Sequence, residues 1–254
     1  MTPRKRNALW IFLALAALVL SRSLSSCSTP RVTVESRGDG PKTVVLLHGL
    51  RRTPRSMDKL SNALAAGGYT VLNCGYPSHR MGIGELAELV CAEISPLLTN
   101  APCAHFVTHS MGGIVLRAML REHPLPNMGR VVMLAPPNRG SELADRLGGF
   151  WLYRQINGPA GNELGTSADS APNRLGPPEY PVGVVAGDRT LNPFYSWLIP
   201  GPDDGKVSVE RARLEGMSGF ICLPVSHTWM MRDARVVEQT LRFLRDGAFE
   251  ACDL

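Results

Sequence analysis

Two hydrophobic patterns alternate along this chain of 254 residues. Seven short segments, apolar at nearly every position or at every second one, predict β-strands. They lie at residues 31–36, 42–49, 70–76, 104–108, 130–137, 182–188 and 219–224. In four segments between and after them, at 56–69, 83–98, 111–120 and 235–247, apolar residues recur at the spacing of an amphipathic helix.

This alternation predicts an α/β fold, a mostly parallel sheet with helices on both faces. Ligands of such sheets bind beyond the carboxyl ends of the strands, so the residues that follow each strand are the first candidates for a site. Residues 138–179 have no strand pattern and hold an aromatic cluster at 150–153. We interpret them as a small cap over that edge of the sheet, called the cap segment below.

The basic charge of the chain comes from its first residues. Four of the 27 basic residues and none of the 22 acidic ones lie in residues 1–26, so the remainder is nearly neutral. A nucleic-acid-binding face is therefore not expected. Residues 8–20 are 13 consecutive apolar residues behind Arg4, Lys5 and Arg6, which is short for a membrane span and typical of a signal peptide.

The leader ends in Leu-Ser-Ser-Cys at Cys27, which resembles the lipobox of bacterial lipoproteins. The resemblance implies that residues 1–26 are removed and that Cys27 carries a lipid anchor, leaving residues 27–254 as one exported domain at a membrane. Arg22 departs from the pattern because it interrupts the apolar run. Cleaved secretion without a lipid and an uncleaved anchor remain alternatives. In lipoproteins, Ser28 after the cysteine favours transport to the outer membrane.

Five further cysteines are present, and no Cys-x-x-Cys spacing that would indicate a zinc or redox site occurs. In an oxidising compartment, Cys91 with Cys103 and Cys222 with Cys252 are the candidate disulfide pairs.

Residues capable of acyl-transfer chemistry follow several predicted strands. His48-Gly49-Leu50, Ser110 in Thr-His-Ser-Met-Gly-Gly, Asp188 and His227 all occupy such positions. A serine hydroxyl needs a general base to become a nucleophile, and a serine and a histidine at one edge supply that pair. The alternatives are that Ser110 caps the following helix and that His227 is a surface histidine.

The strand, the x-His-Ser-Met-Gly-Gly segment and the following helix resemble the nucleophile elbow of α/β-hydrolases, in particular small bacterial lipases and esterases. The resemblance covers about residues 42–245 and implies Ser110 as nucleophile and His227 as base. It also implies an oxyanion hole from the backbone N–H groups of Leu50 and Met111. Thr108 stands where the family usually has glycine. His109 is expected to point away from His227.

The acid of the triad has more than one candidate. Asp204, 23 residues before His227, lies in Asp-Asp-Gly-Lys-Val and resembles the segment that supplies the acid in lipases of the Pseudomonas type. Asp188 ends a predicted strand, at the position of the acid in many α/β-hydrolases. We favour Asp204, because residues 191–202 are expected to carry the chain off the edge before it returns. Asp188 and then Asp203 are the alternatives.

These features predict a serine hydrolase acting on small-molecule or lipid carboxylic esters through an acyl-enzyme. A thioesterase or amidase with the same residues, and a binding protein that has kept only the fold, remain the alternatives. No cofactor or metal is expected. Trp229 stands two residues beyond His227, where Pseudomonas-type lipases have an acid that binds calcium.

Overall fold

The computed structural model describes residues 31–250, and these form a seven-stranded sheet with helices on both faces. The strands are β1 (Thr33–Arg37), β2 (Lys42–Leu47), β3 (Tyr69–Gly75), β4 (Ala104–His109), β5 (Met128–Leu134), β6 (Val182–Gly187) and β7 (Gly219–Leu223). Their order in the sheet is β1-β3-β2-β4-β5-β6-β7. All neighbours run parallel except β1, which is antiparallel to β3. The fold expected from the sequence is thereby confirmed.

Nine α-helices lie in the described part of the chain. They are α1 (Asp58–Ala66), α2 (Ile83–Leu98), α3 (Met111–Glu122), α4 (Glu142–Gly148), α5 (Trp151–Asn162), α6 (Ala171–Arg174), α7 (Pro193–Leu198), α8 (Val209–Ala212) and α9 (Ala234–Asp246). Short 3₁₀ turns at Pro54–Met57 and Met230–Arg232 precede α1 and α9. None of these helices is long and apolar enough to span a membrane.

The sheet is covered by two layers of helices. Helices α2 and α3 pack on one face through apolar residues such as Ile94 and Ile114. Helices α1 and α9 cover the other face, where Leu64 and Phe243 are fully buried. The central strands β2, β4 and β6 are buried on both sides, which is why their sequences are apolar without alternation. This rigid sheet fixes the positions of the loops at its carboxyl edge.

The cap segment consists of three helices, α4 to α6, rather than irregular chain. Helix α5 is interrupted at Gly158, which has a φ of 66° and precedes Pro159. A buried arginine of α3, Arg117, fastens the cap segment to the sheet layer. Its guanidinium donates to the carbonyl oxygens of Asn138, Pro172 and Gly176 at 2.8–3.1 Å. Burial lowers the pKa of Arg117 to about 10.

The predicted disulfide between Cys91 and Cys103 is wrong, since both are free thiols. Cys91 faces the core from α2 with its sulfur 3.3 Å from Ser95 Oγ, whereas Cys103 lies beside His105. Cys222 is also free, and Cys252 lies outside the described residues. The leader 1–26 and Cys27 lie outside them too, so their roles stay predictions.

Candidate active site

Ser110 stands on a sharp turn between β4 and α3. Its backbone has φ 53° and ψ −127°, a conformation that costs a non-glycine residue roughly 1–3 kcal/mol. A hydrogen bond of 2.8 Å from Ser110 N–H to Leu134 O ties the turn to the end of β5. The Ser110 side chain makes no capping hydrogen bond to α3. The N-cap alternative therefore fails, and the hydroxyl points to other partners.

Small residues allow the turn to form. A Cβ atom at Gly112 would lie 2.5 Å from Leu47 O and 2.7 Å from His48 O, so no larger residue fits without moving the backbone of β2. A Cβ atom at Gly113 would lie 3.2 Å from Thr108 Oγ1. The second glycine thus makes room for the threonine that replaces the usual glycine before the serine.

The structure brings Ser110, His227 and Asp204 into one chain of hydrogen bonds. His227 Nε2 lies 3.0 Å from Ser110 Oγ, and His227 Nδ1 lies 2.8 Å from Asp204 Oδ2. His227 is 3% exposed and Asp204 is 2% exposed, whereas Ser110 is partly exposed. The nitrogen that faces the carboxylate carries the proton, which leaves Nε2 free to accept one from the serine.

Backbone contacts hold the Asp204 carboxylate in place. Its second oxygen, Oδ1, accepts hydrogen bonds from the N–H groups of Lys206 at 3.0 Å and Val207 at 2.9 Å. His227 N–H donates to Asp204 O at 3.0 Å, so the two loops are joined through main chain as well as side chain. The imidazole and the carboxylate therefore keep their orientation without a substrate.

The other two aspartates have different partners. Asp203 is buried and accepts hydrogen bonds from Ser196 Oγ and, at 2.7 Å, from Gly205 N–H, so it shapes the turn before Asp204. The side chain of Asp188 is 40% exposed and lies 3.8 Å from Arg189 Nε. The geometry thus favours Asp204 over both alternatives.

His109 does not point away from His227, and that expectation was wrong. Its ring centroid lies 4.8 Å from that of His227, and its Nε2–H donates to His227 O at 3.0 Å. His109 is fully enclosed, and burial, followed by the charge of a protonated His227, holds its pKa well below the usual value. The neutral His109 ring, on the last residue of β4, anchors the loop that carries His227 through this hydrogen bond.

His48 and Tyr76 hold the loop that follows β2. His48 Nδ1–H donates to Gly49 O at 2.9 Å, and Nε2 accepts from Tyr76 N–H at 3.3 Å. The Tyr76 hydroxyl donates to His48 O, and the two rings stack at 4.3 Å. Burial lowers the pKa of His48 to about 4, so this ring is neutral and serves the loop structure. No sequence pattern pointed to this role of Tyr76.

Met111 follows Ser110 in the chain, and Leu50 lines the same cavity as Ser110. A Cβ atom at Gly49 would lie 3.1 Å from Ser110 Cβ, so this glycine allows the loop to approach the elbow. Met111 is the first residue of α3, and an N–H at that position has no partner within its helix. Arg51, which follows Leu50, has φ 55° and donates its N–H to Ser78 Oγ at 2.9 Å. The oxyanion role stays a prediction.

A cavity of about 350 Å³ opens onto Ser110 and His227. The cap segment lines it with Leu143, Ala144, Ile156 and Leu164, besides Tyr153. Tyr195 of α7 lines it as well, so residues 191–202 do not leave the edge of the sheet as we expected. The remaining wall carries Arg51, Arg52 and Lys206.

Residues 31–250 contain no group of three or more His, Cys, Asp or Glu residues that could hold a metal ion. Trp229, at the position of the acid that binds calcium in Pseudomonas-type lipases, is 51% exposed and packs against Arg232. The expectation that no metal or cofactor takes part stays a prediction.

A sequence model of the alpha/beta hydrolase family matches residues 44–244, which include the elbow and the His227 loop. The chain belongs to the alpha/beta hydrolase family. No curated protein matches the sequence of this hydrolase with significance. The fold and the hydrolase class agree with the sequence prediction.

Solved structures of lipases and esterases share the fold of this hydrolase. The mature lipase BlEst2 from Bacillus licheniformis superposes with a TM-score of 0.65 at 17% identity, covering 83% of this chain and 95% of that one. Phospholipase PlaB from Legionella pneumophila superposes with a TM-score of 0.66 at 20% identity, covering 80% of this chain and 60% of that one. Carboxylesterase CesB from Bacillus subtilis superposes with a TM-score of 0.53 at 14% identity, covering 87% of this chain and 93% of that one. At these identities the likeness concerns the fold.

Proposed function

We propose that this alpha/beta hydrolase is a carboxylic-ester hydrolase of the lipase or esterase type, with Ser110 as nucleophile, His227 as base and Asp204 as acid. The observation that carries the proposal is the chain of hydrogen bonds of 3.0 Å and 2.8 Å that joins the three side chains beside an open cavity. The likeness of the fold to lipases, a phospholipase and a carboxylesterase supports the choice of an ester.

The geometry supports a two-step reaction. As Ser110 Oγ attacks the ester carbonyl carbon, its proton passes to His227 Nε2, 3.0 Å away. The oxygen of the tetrahedral intermediate accepts hydrogen bonds from the N–H groups of Leu50 and Met111, and one such donor stabilises it by about 3 kcal/mol. His227 then returns the proton to the departing alcohol. A water molecule, deprotonated by the same ring, hydrolyses the acyl-enzyme.

Turnover of a series of p-nitrophenyl esters from acetate to palmitate tests this function. We expect hydrolysis by the wild-type protein and loss of at least 99.9% of the activity in Ser110→Ala. Matched butyryl thioester and anilide substrates then separate the ester class from its alternatives. The proposal would be contradicted if Ser110→Ala were as active as the wild-type protein. It would also be contradicted if the wild-type protein hydrolysed only the thioester or only the anilide. Absence of turnover of all these substrates would also contradict the proposal.

We also propose that the mature protein is exported and held at a membrane by a lipid on Cys27, with residues 1–26 as its signal peptide. The support is the Leu-Ser-Ser-Cys sequence after the apolar run. Radiolabelled palmitate fed to expressing bacteria should enter the wild-type protein and not Cys27→Ser. Export without label would contradict the lipid anchor, and retention in the cytoplasm would contradict the signal peptide.

A further inference from the structure

Three cationic side chains line the cavity beside the serine and histidine: Arg51, Arg52 and Lys206. Arg51 and Arg52 follow Leu50 in the loop after β2, and Lys206 follows Asp204 in the loop that orients His227. The two loops are far apart in sequence, so the fold, rather than a local basic run, brings these charges to one wall.

None of these three cations forms an ion pair with a carboxylate within residues 31–250. The Arg51 guanidinium donates to the carbonyl oxygen of Ile156 at 2.6 Å, which fixes it to the cap segment but leaves its charge uncompensated. For Arg52 and Lys206, the described part of the chain supplies neither a side-chain hydrogen bond nor an ion pair. The nearby carboxylates are engaged elsewhere: Asp204 with His227, and Glu142 with Arg211 at 3.1 Å.

Positive charge accumulates at this wall at an electrostatic cost. Burial, and after it the charge of Arg232, lowers the pKa of Arg52. Burial, and after it the charge of Arg52, also lowers the pKa of Lys206, although Asp204 opposes the shift. Lys206 is exposed and Arg52 is partly exposed, so both side chains remain accessible from the cavity that they line. Unpaired cations that repel one another in a pocket are stabilised when an anion binds between them.

We infer that the cavity takes esters whose alcohol part carries a phosphate or carboxylate group, which Arg52 and Lys206 bind. The inference rests on the proposed ester hydrolysis. The alcohol is assigned to this wall because His227 must protonate it, and Lys206 lies on the loop that orients His227. The apolar residues of the cap segment, among them Leu143 and Leu164, remain for the acyl chain. Arg52 contributes a planar donor pair that suits both kinds of anion.

Water-soluble substrate pairs test the inference without a lipid surface. The pairs are 1-butyryl-glycerol 3-phosphate against 1-butyryl-glycerol, and 3-butyryl-glycerate against 1-butyryl-glycerol. We expect kcat/KM to be at least about tenfold higher for each anionic member, since hydrogen bonds to charged groups are stronger than those between neutral groups. The preference should fall about tenfold in Arg52→Gln and in Lys206→Gln. Ethyl hydrogen succinate, with its charge on the acyl part, should show no preference over ethyl butyrate.

Arg55→Gln is the matched control, because Arg55 is exposed, lies three residues beyond Arg52 and does not line the cavity. This variant should keep both the activity and the preference of the wild-type protein. The inference would be overturned if the wild-type protein showed no preference for the anionic esters. It would also be overturned if both pocket variants kept that preference, or if Arg55→Gln reduced it as much as they do. A preference for the charged acyl part would overturn it as well.

Binding to Ser110→Ala separates failure of the inference from failure of the proposed function. Calorimetry should show 1-butyryl-glycerol 3-phosphate binding to Ser110→Ala at least about tenfold more tightly than 1-butyryl-glycerol, and Arg52→Gln in that background should remove the difference. Such binding without any turnover by the wild-type protein would preserve the anion site and contradict the hydrolase. Turnover of both esters with equal kcat/KM would preserve the hydrolase and contradict the anion site.

Discussion

Replacing Asp204 by asparagine should prevent His227 from acting as the general base while leaving the shape of the site unchanged. Asp204 Oδ1 accepts two backbone hydrogen bonds, from Lys206 and Val207. The amide oxygen of asparagine will take that position because only it can accept them, so the NH₂ group will face His227 Nδ1. Nδ1 must then accept, and the ring proton moves to Nε2, which faces Ser110 Oγ. The histidine can no longer take the serine proton.

The size of the effect follows from the observed distance. A carboxylate 2.8 Å from an imidazolium stabilises it by about 6 kcal/mol at an effective dielectric constant of about 20. At about 1.4 kcal/mol for each factor of ten in rate, the loss is about four orders of magnitude in kcat. This agrees with the loss of about 10⁴ that the same substitution typically causes in serine hydrolases with this triad.

The assay is the steady-state hydrolysis of p-nitrophenyl butyrate, with circular dichroism to show that each variant is folded. Asp188→Asn is the control, since Asp188 is partly exposed and pairs with Arg189. It should retain most of the wild-type kcat. A loss of less than tenfold in Asp204→Asn, or a larger loss in Asp188→Asn than in Asp204→Asn, would refute the reasoning and reassign the acid.

Three further predictions concern the elbow, the buried histidines and the cap segment. Gly112→Ala should abolish ester hydrolysis or folding, because the added Cβ atom would lie 2.5 Å from Leu47 O. Gly84→Ala is the control and should keep wild-type activity in the same assay, because its added Cβ atom would meet nothing within 4 Å. Stability should fall as the pH falls from about 6.5 to about 4, because His48 with its pKa of about 4 stays neutral in the fold while an unfolded histidine becomes protonated. This group alone accounts for about 3 kcal/mol in urea titrations, and His48→Gln should reduce the pH dependence by about that amount. Arg117→Met should destabilise the protein by about 3 kcal/mol in thermal unfolding, because it leaves carbonyl oxygens in the protein interior without donors. The control is Arg121→Met, which removes an exposed hydrogen bond and should change stability by less than about 1 kcal/mol.

The sheet and the four long helices followed from hydrophobic spacing alone. Strands such as Val182–Gly187 are apolar throughout because both of their faces are covered. In helix α9 (Ala234–Asp246), apolar residues recur at helical spacing because only one face of the helix packs on the sheet. These patterns record burial, and burial in this fold depends on position in the layers. The cap helices escaped notice for two reasons. Helices α4 and α6 have only 7 and 4 residues, and α5 is interrupted at Gly158 and exposes residues such as Trp151, so their spacing carries little of that signal.

The candidate site was located from sequence by two different signals. Ser110 and His227 were found because a reactive side chain occurs just beyond a predicted strand, whereas Asp204 was found from the resemblance of its segment to that of Pseudomonas-type lipases. The geometry of the three side chains now supports the same assignment. The direction of His109 and the contact of Tyr195 with the cavity depend on how distant loops cross, which no local pattern contains. The free Cys91 likewise faces the core because of helix packing, not because of its distance from Cys103.

Covalent labelling of Ser110 tests the central claim most directly. The whole protein is treated with a fluorophosphonate, digested and analysed by mass spectrometry, with heat-denatured protein and Asp204→Asn treated in parallel. We predict one adduct per molecule, on Ser110 alone, formed much more slowly in Asp204→Asn and absent after denaturation, because only the folded triad activates that hydroxyl. An unlabelled Ser110 in active protein, or an adduct on a different serine, would contradict the account.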